Sequence, residues 1–271
     1  LINNIIYVKE EDMIKQHYLT NNDCYKQGRK MQIRGLMLHS VGCNVENPMN
    51  FIKSWDKGGV YKCVHAFVDE KDVYETLPHD YRGWHCGKGE NGSFNDGYIG
   101  VEMCEPSSIV YVSGSAFVDK DEDHTKSFVK NTYNVAVEYF AYLCTRYCLN
   151  PLQKNVIVSH SEGHRLGYAS DHGDVEHIWD YIGLTMNQFR KDVFYTMVKN
   201  IKDEYVKKES ISNILNDCII AENMLVNDKM SKVHTIKIEN YNYVKLDDLK
   251  NLGLNVDYNK ADKVVSIKFA I

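Results

Sequence analysis

The sequence predicts an α/β domain of about 200 residues followed by a smaller module, and three features carry that prediction. Short apolar runs alternate with segments of helical spacing. Two of the runs are joined by a tight polar turn. The composition then changes beyond residue 200.

Taken in order, residues 33–38 (IRGLML) form an apolar run broken by one glycine and read as a buried strand ending at His39. Residues 50–55 suit a short helix closed by the Gly58-Gly59 turn. Residues 63–69 (CVHAFVD) and 73–77 (VYETL) flank the polar turn Glu70-Lys71-Asp72 and predict a hairpin. Residues 81–97 are rich in Gly, Asn and aromatics and read as a long loop, a kind that often carries function. Residues 98–104 (YIGVEMC) read as a strand, and 107–123 as a polar loop. From 125 to 148 the apolar positions recur at helical spacing, with Thr125 as the expected cap. Residues 156–159 (VIVS) form a strand leading into His160. Residues 161–184 read as a loop, and 185–199 as a helix.

These elements place one α/β domain over 1–200. The charged stretch 201–232 reads as a helical connector. Residues 233–271 alternate as strands (235–238, 243–246, 256–258, 264–269) around a helix at 247–252, a small α+β module. A unit of its size has a marginal core alone, so it is expected to pack on the first domain or to dimerise.

Composition narrows the function classes. The 271 residues are 44% hydrophobic and 25% charged, enough to bury a core and unlike a disordered chain. Acidic residues outnumber basic ones, 37 to 32, which argues against a dedicated nucleic-acid binder. No apolar run approaches a membrane span. The first residues lack the basic segment, apolar core and small-residue site of a signal peptide. The 8 cysteines include no CxxC pair, so a zinc ribbon is excluded, and all are expected to be reduced.

Three polar residues stand within or just past apolar strands: His39 after GLML, Glu102 in YIGVEMC and His160 after VIVS. His160 opens a dense segment, HSEGHRLGYASDHGDVEHIW, that also holds Glu162, His164, Asp171, His172, Asp174 and His177. A zinc hydrolase needs three protein ligands from His, Asp, Glu or Cys and one open position for water. His39, His160 and one acid from 171–174 would supply such a set. A nearby carboxylate would take the proton of the water.

The ordered set LMLHS, VHAFVDE, RGWHCG, NDGYIGVEMCE and VSHSEGHRLGYASDHGDVEHIW resembles the zinc-dependent N-acetylmuramoyl-L-alanine amidases of the type-2 class, whose fold peptidoglycan-recognition proteins share. The resemblance covers about residues 30–195. It implies a mixed central sheet flanked by helices, with a zinc ion in a surface groove. The implied reaction is hydrolysis of the amide between N-acetylmuramic acid and the L-alanine of peptidoglycan, with a binding-only module of the same fold as the alternative. The implied ligands are His39, His160 and Asp174, with Asp171 or His172 as rivals for the third place. Glu102 matches the family's glutamate that accepts a proton from water. His172 stands two residues before the third ligand, where relatives often carry a catalytic Lys. His65, His85 and Trp84 match positions beside the groove and are expected substrate contacts; the alternatives are backbone hydrogen bonds for the two imidazoles and a core position for Trp84. The C-terminal module weakly resembles small repeats that follow bacterial wall hydrolases, which implies a wall-binding or assembly role for 233–271. An endolysin or autolysin of a low-GC bacterium or its phage, made in the cytoplasm and released through a partner pore, fits this picture.

A His in place of Lys makes the carbonyl donor depend on pH. Wall-lytic activity should therefore weaken toward alkaline pH. His172→Lys should flatten that limb, and a pH profile the substitution leaves unchanged would count against this role.

Overall fold

Gly35–Ser40 (β2) is buried along its whole length, the pattern of a strand covered on both faces in the middle of a sheet. In the computed structural model, which describes residues 13–207 and the strands at 220–226, 229–238, 241–244, 254–259 and 264–269, that is its position. β2 pairs in parallel with Tyr98–Met103 (β5) on one side and Ile157–Ser159 (β8) on the other. Ala66–Val68 (β3) pairs in parallel with β5 and antiparallel with Val73–Glu75 (β4), the predicted hairpin. Ile14–Gln16 (β1) closes the edge, parallel to β4. The result is a six-stranded mixed sheet of order β1-β4-β3-β5-β2-β8 with helices against it.

Alternation along the strands sorts the core. Leu36, Leu38, Ile99 and Val101 share a cluster with Tyr133, Phe140, Trp179 and Phe189, contributed by helices. The residues between them belong to different clusters: Met37 and Val158 pack with Phe94 and Tyr98, and Phe67 packs with Ile52, Trp55 and Leu77. His39 and Glu102 follow Met37 and Gly100 on this second face.

The long helix spans Glu122–Arg146, three residues earlier than predicted. Asp121, not Thr125, caps it: the Asp121 carboxylate accepts from the His124 N–H at 3.1 Å, and Glu122 and Asp123 in the first turn suit the helix dipole. Thr125 is instead buried, its hydroxyl shared between Ser108 and Asp119.

Two expected loops contain regular structure. Within 107–123, Ile109–Ser113 (β6) and Ala116–Asp119 (β7) form an antiparallel hairpin. Exposed Val110, Val112 and Val118 alternate with half-buried Tyr111 and Phe117, so both faces are apolar and the polar alternation of a half-buried strand is lost. Within 161–184, His160–Arg165 and Glu176–Trp179 are short helices, followed by a 3₁₀ turn at Asp180–Ile182. The first is started by a capping box: the Ser159 hydroxyl accepts from the Glu162 N–H at 3.0 Å, and Glu162 accepts from the Ser159 N–H at 3.1 Å. The 81–97 loop has no strand or helix, only isolated bridges such as Cys63–Trp84.

The chain divides into two compact units, Leu1–Lys199 and Asn200–Ile271. In the second, Ile220–Val226 (β9), Lys229–Ile238 (β10) and Tyr241–Val244 (β11) make a three-stranded antiparallel sheet, and Leu254–Asn259 (β12) pairs antiparallel with Val264–Phe269 (β13). The helical connector expected over 201–232 is corrected here. Helix is present over 201–207, residues 208–219 lie outside the described ones, and strands rather than helix occupy 220–226 and 229–232. The β-branched and alternating residues of 220–238 outweigh its charge. The helix expected at 247–252 and Cys218 lie outside the described residues. No disulfide joins the described cysteines, and no described helix is long and apolar enough to cross a membrane.

His65 shows how tightly the sheet margin is braced. It is fully buried; its Nδ1 accepts from the Gly100 N–H at 2.9 Å, so its Nε2 carries the proton and donates to the Tyr81 carbonyl at 2.8 Å. Burial pushes its pKa down to about 3, against the smaller opposing pull of these backbone bonds. Folding therefore keeps the ring neutral where the unfolded chain would protonate it. The stability this contributes is complete above about pH 6.5 and is lost as pH falls toward about 3. His65→Asn should make the fall in denaturation free energy between about pH 6 and pH 4 shallower, by close to 1.4 kcal/mol per pH unit. Urea titrations across that range would check it, and an unaltered slope would refute it.

Candidate metal centre

The parallel register brings the polar strand-end residues together. His39 of β2 is the direct partner of Glu102 of β5. On the other side Leu38 pairs with Ser159 of β8, so His160 lies one step beyond, beside His39. His160 is also the first residue of the capped helix, which fixes the direction in which the chain leaves the strand. Asp174 comes from the following segment, tied back by its carbonyl accepting from the Ser161 N–H at 3.0 Å.

One ligand atom from each of His39, His160 and Asp174 lies within 4.8 Å of the others, and all three residues are buried. His39 Nδ1 and His160 Nδ1 are 3.0 Å apart, and Asp174 Oδ2 is 3.4 Å from the first and 3.6 Å from the second. Burial drives the His39 pKa down to about 4, only partly offset by Asp174. Burial alone would raise the Asp174 pKa, but the adjoining His160 and His39 outweigh it and hold the carboxyl well below the usual range. An ionised carboxylate beside a neutral imidazole is a donor set that suits zinc.

Glu102 is half-buried, and its Oε2 is sealed from solvent with no hydrogen-bond partner. Burial, then the charges of Asp174 and Glu105, raise its pKa well above the ordinary value, with Lys62 opposing. An orphaned acceptor in the strand position next to His39 is costly unless a further group meets it.

The other predicted residues separate. His172 is exposed, its ring centroid 4.4 Å from that of His160 and its Nδ1 3.2 Å from Ser170 Oγ. Asp171, a rival for the third ligand place, has an 87% exposed side chain and sits 3.5 Å from His164, outside the cluster. Of the expected substrate contacts, His65 is corrected: it is sealed in the core and both ring nitrogens are spent on backbone. His85 turns inward, with Nδ1 2.9 Å from His39 Nε2. Trp84 is half-buried against the cluster around Phe67, and Tyr61, 82% exposed, stacks on it with ring centroids 6.4 Å apart. Glu162 pairs with Arg190, and His177 braces the β6–β7 hairpin through Tyr111 at 2.6 Å.

Sequence reasoning missed Ser170, which lies between His160 and His172, and Tyr111, whose hydroxyl donates to the buried Glu105 at 2.6 Å. Neither sits in a pattern that spacing can flag. Tyr111 also fell in the segment read as a loop.

Comparison with known proteins places this geometry. The chain is 43% identical over 61 residues to the N-acetylmuramoyl-L-alanine amidase CwlH of Bacillus subtilis, and 49% identical over 66 residues to XlyA of the same organism. These stretches are 22% and 24% of this chain but only 20% and 21% of those relatives, so the match spans about a fifth of their length. Among solved structures, the Staphylococcus aureus hydrolase AmiA, crystallised with its ligand, superposes with a TM-score of 0.51 at 19% identity, over 70% of this chain and 85% of AmiA, and so shares the fold. The sequence pattern of the N-acetylmuramoyl-L-alanine amidase family matches residues 29–174, from just before β2 to the third residue of the cluster, and the chain belongs to that family.

Proposed function

We propose that this chain hydrolyses the amide between N-acetylmuramic acid and L-alanine in peptidoglycan, with zinc held by His39, His160 and Asp174. The observation that carries the reading is the convergence of those three buried side chains beside the unpartnered oxygen of Glu102. The residues fit the metal: one carboxylate and two imidazoles, drawn from elements far apart in sequence, direct a ligand atom each to one point. Zinc bound there supplies Lewis acidity, which acidifies water and polarises the scissile carbonyl.

This chain's own groups do the rest. Glu102 Oε2 accepts the proton of the attacking water and returns it to the departing amine of alanine; its raised proton affinity suits a group that must hold a proton between the two steps. His172, at the exposed side of His160, donates a ring N–H to the carbonyl oxygen as negative charge builds there. Ser170, shared between those rings, limits how His172 turns.

Digestion of purified peptidoglycan tests the proposal. New L-alanine amino termini should appear without new reducing sugar ends, and metal analysis should give one zinc per chain. His39→Ala and His160→Ala should lose both metal and lysis. Glu102→Gln should keep the metal and lose about 10²–10⁴-fold in rate. Reducing ends, full activity in either histidine variant, or wall binding without zinc or lysis would each overturn it.

A further inference from the structure

We propose that His85 is a positioning residue that fixes the proton of His39 on Nε2, so that Nδ1 is presented as a bare lone pair toward His160 and Asp174. The inference rests on the zinc reading above for its purpose, but its geometry stands independently.

The argument starts at a carbonyl. Tyr98 O lies 3.2 Å from His85 Nε2, and a carbonyl oxygen can only accept, so that nitrogen carries the proton of the His85 ring. A ring that presents Nδ1 to a metal keeps its one proton on Nε2, and the proton of His85 is already committed to the carbonyl. His85 Nδ1 is then an acceptor, and it stands 2.9 Å from His39 Nε2. His39 must donate there, which leaves its Nδ1 unprotonated on the side where His160 Nδ1 lies 3.0 Å away. Carbonyl, ring and ring thus form a directed relay, with the two rings edge to face at 76°.

The surroundings hold His85 to this task. Its ring lies against Gly100 so closely that a Cβ there would sit 2.4 Å from His85 Cγ, so the sheet gives up a side chain to admit the ring. The His85 backbone N–H donates to Oδ1 of buried Asn95 at 2.9 Å. Neighbouring Trp84 exchanges two backbone hydrogen bonds with Cys63. Ser170 has the matching place behind the other imidazole. It donates to the Cys86 carbonyl at 3.1 Å and lies 3.4 Å from His160 Nε2, a longer and weaker version of the same arrangement. Outer partners of this kind set the tautomer and aim of a ligand, and their loss typically costs about 10–100-fold in metal affinity.

The test compares His85→Ala with His85→Asn in the full chain. Both remove the ring and its packing, but the Asn oxygen can still accept from His39 Nε2. Zinc affinity, measured by chelator competition, should fall about 10–100-fold in His85→Ala and stay near native in His85→Asn. Nitrogen NMR of the imidazoles in metal-free native protein should show the His39 proton on Nε2. Native affinity in His85→Ala, equal losses in both variants, or a His39 proton on Nδ1 would overturn the proposal. If the native chain binds no zinc, the reading of function fails, while the nitrogen spectrum still decides the role of His85. The spectrum decides as well if His85→Ala does not fold.

Discussion

The centre depends on the register of three parallel strands. Pairing of β2 with β5 sets His39 against Glu102, and pairing of β2 with β8 sets the start of the next helix against His39. A slip of one residue in either ladder would turn His39 or Glu102 into the opposite core and send Leu38 or Val101 out to the site. The register is held because both faces are apolar and differently shaped. Leu36, Leu38 and Val101 must meet Tyr133, Phe140 and Trp179, while Met37 and Val158 must meet Phe94 and Tyr98. The same packing that makes the core therefore aims the donors.

Burial does more than hold these groups in place. It keeps the imidazoles of His39, His65 and His85 neutral and raises the proton affinity of Glu102, while the imidazoles beside Asp174 keep that carboxyl ionised. Each neutral ring can then act as a one-way connector. His65 accepts from Gly100 and donates to Tyr81, and His85 accepts from His39 and donates to Tyr98. Of two histidines expected to line a groove, one is therefore a brace of the sheet and the other stands behind His39. His172, packed against His160, is exposed.

Legibility in the sequence followed the physical strength of the local signal. The strands through Leu36, Phe67 and Ile99, and the long helix through Phe140, were readable because burial on both faces or on one stripe leaves a dense apolar pattern. The hairpin at 109–119 was not, because its exposed face carries Val110, Val112 and Val118 while its inner face is held by polar contacts such as Tyr111 with Glu105 and His177. The helix at His160–Arg165 had a readable start in Ser159 and Glu162, but its six residues are too few to show a period. The strands of 220–232 were masked by charge.

By itself the sequence determined which residues are chemically able to act: two histidines and a glutamate at the ends or in the midst of apolar runs, and an acid in a dense polar segment. Side-chain chemistry and strand periodicity are local properties, and they are written residue by residue. Only the tertiary structure decided that Asp174 rather than Asp171 joins His39 and His160, that Glu102 stands beside them unpaired, and that His85 turns inward while His172 faces out. Those outcomes depend on which strands pair, in what register, and on which side chains lose their water, and no segment of the chain carries that information alone.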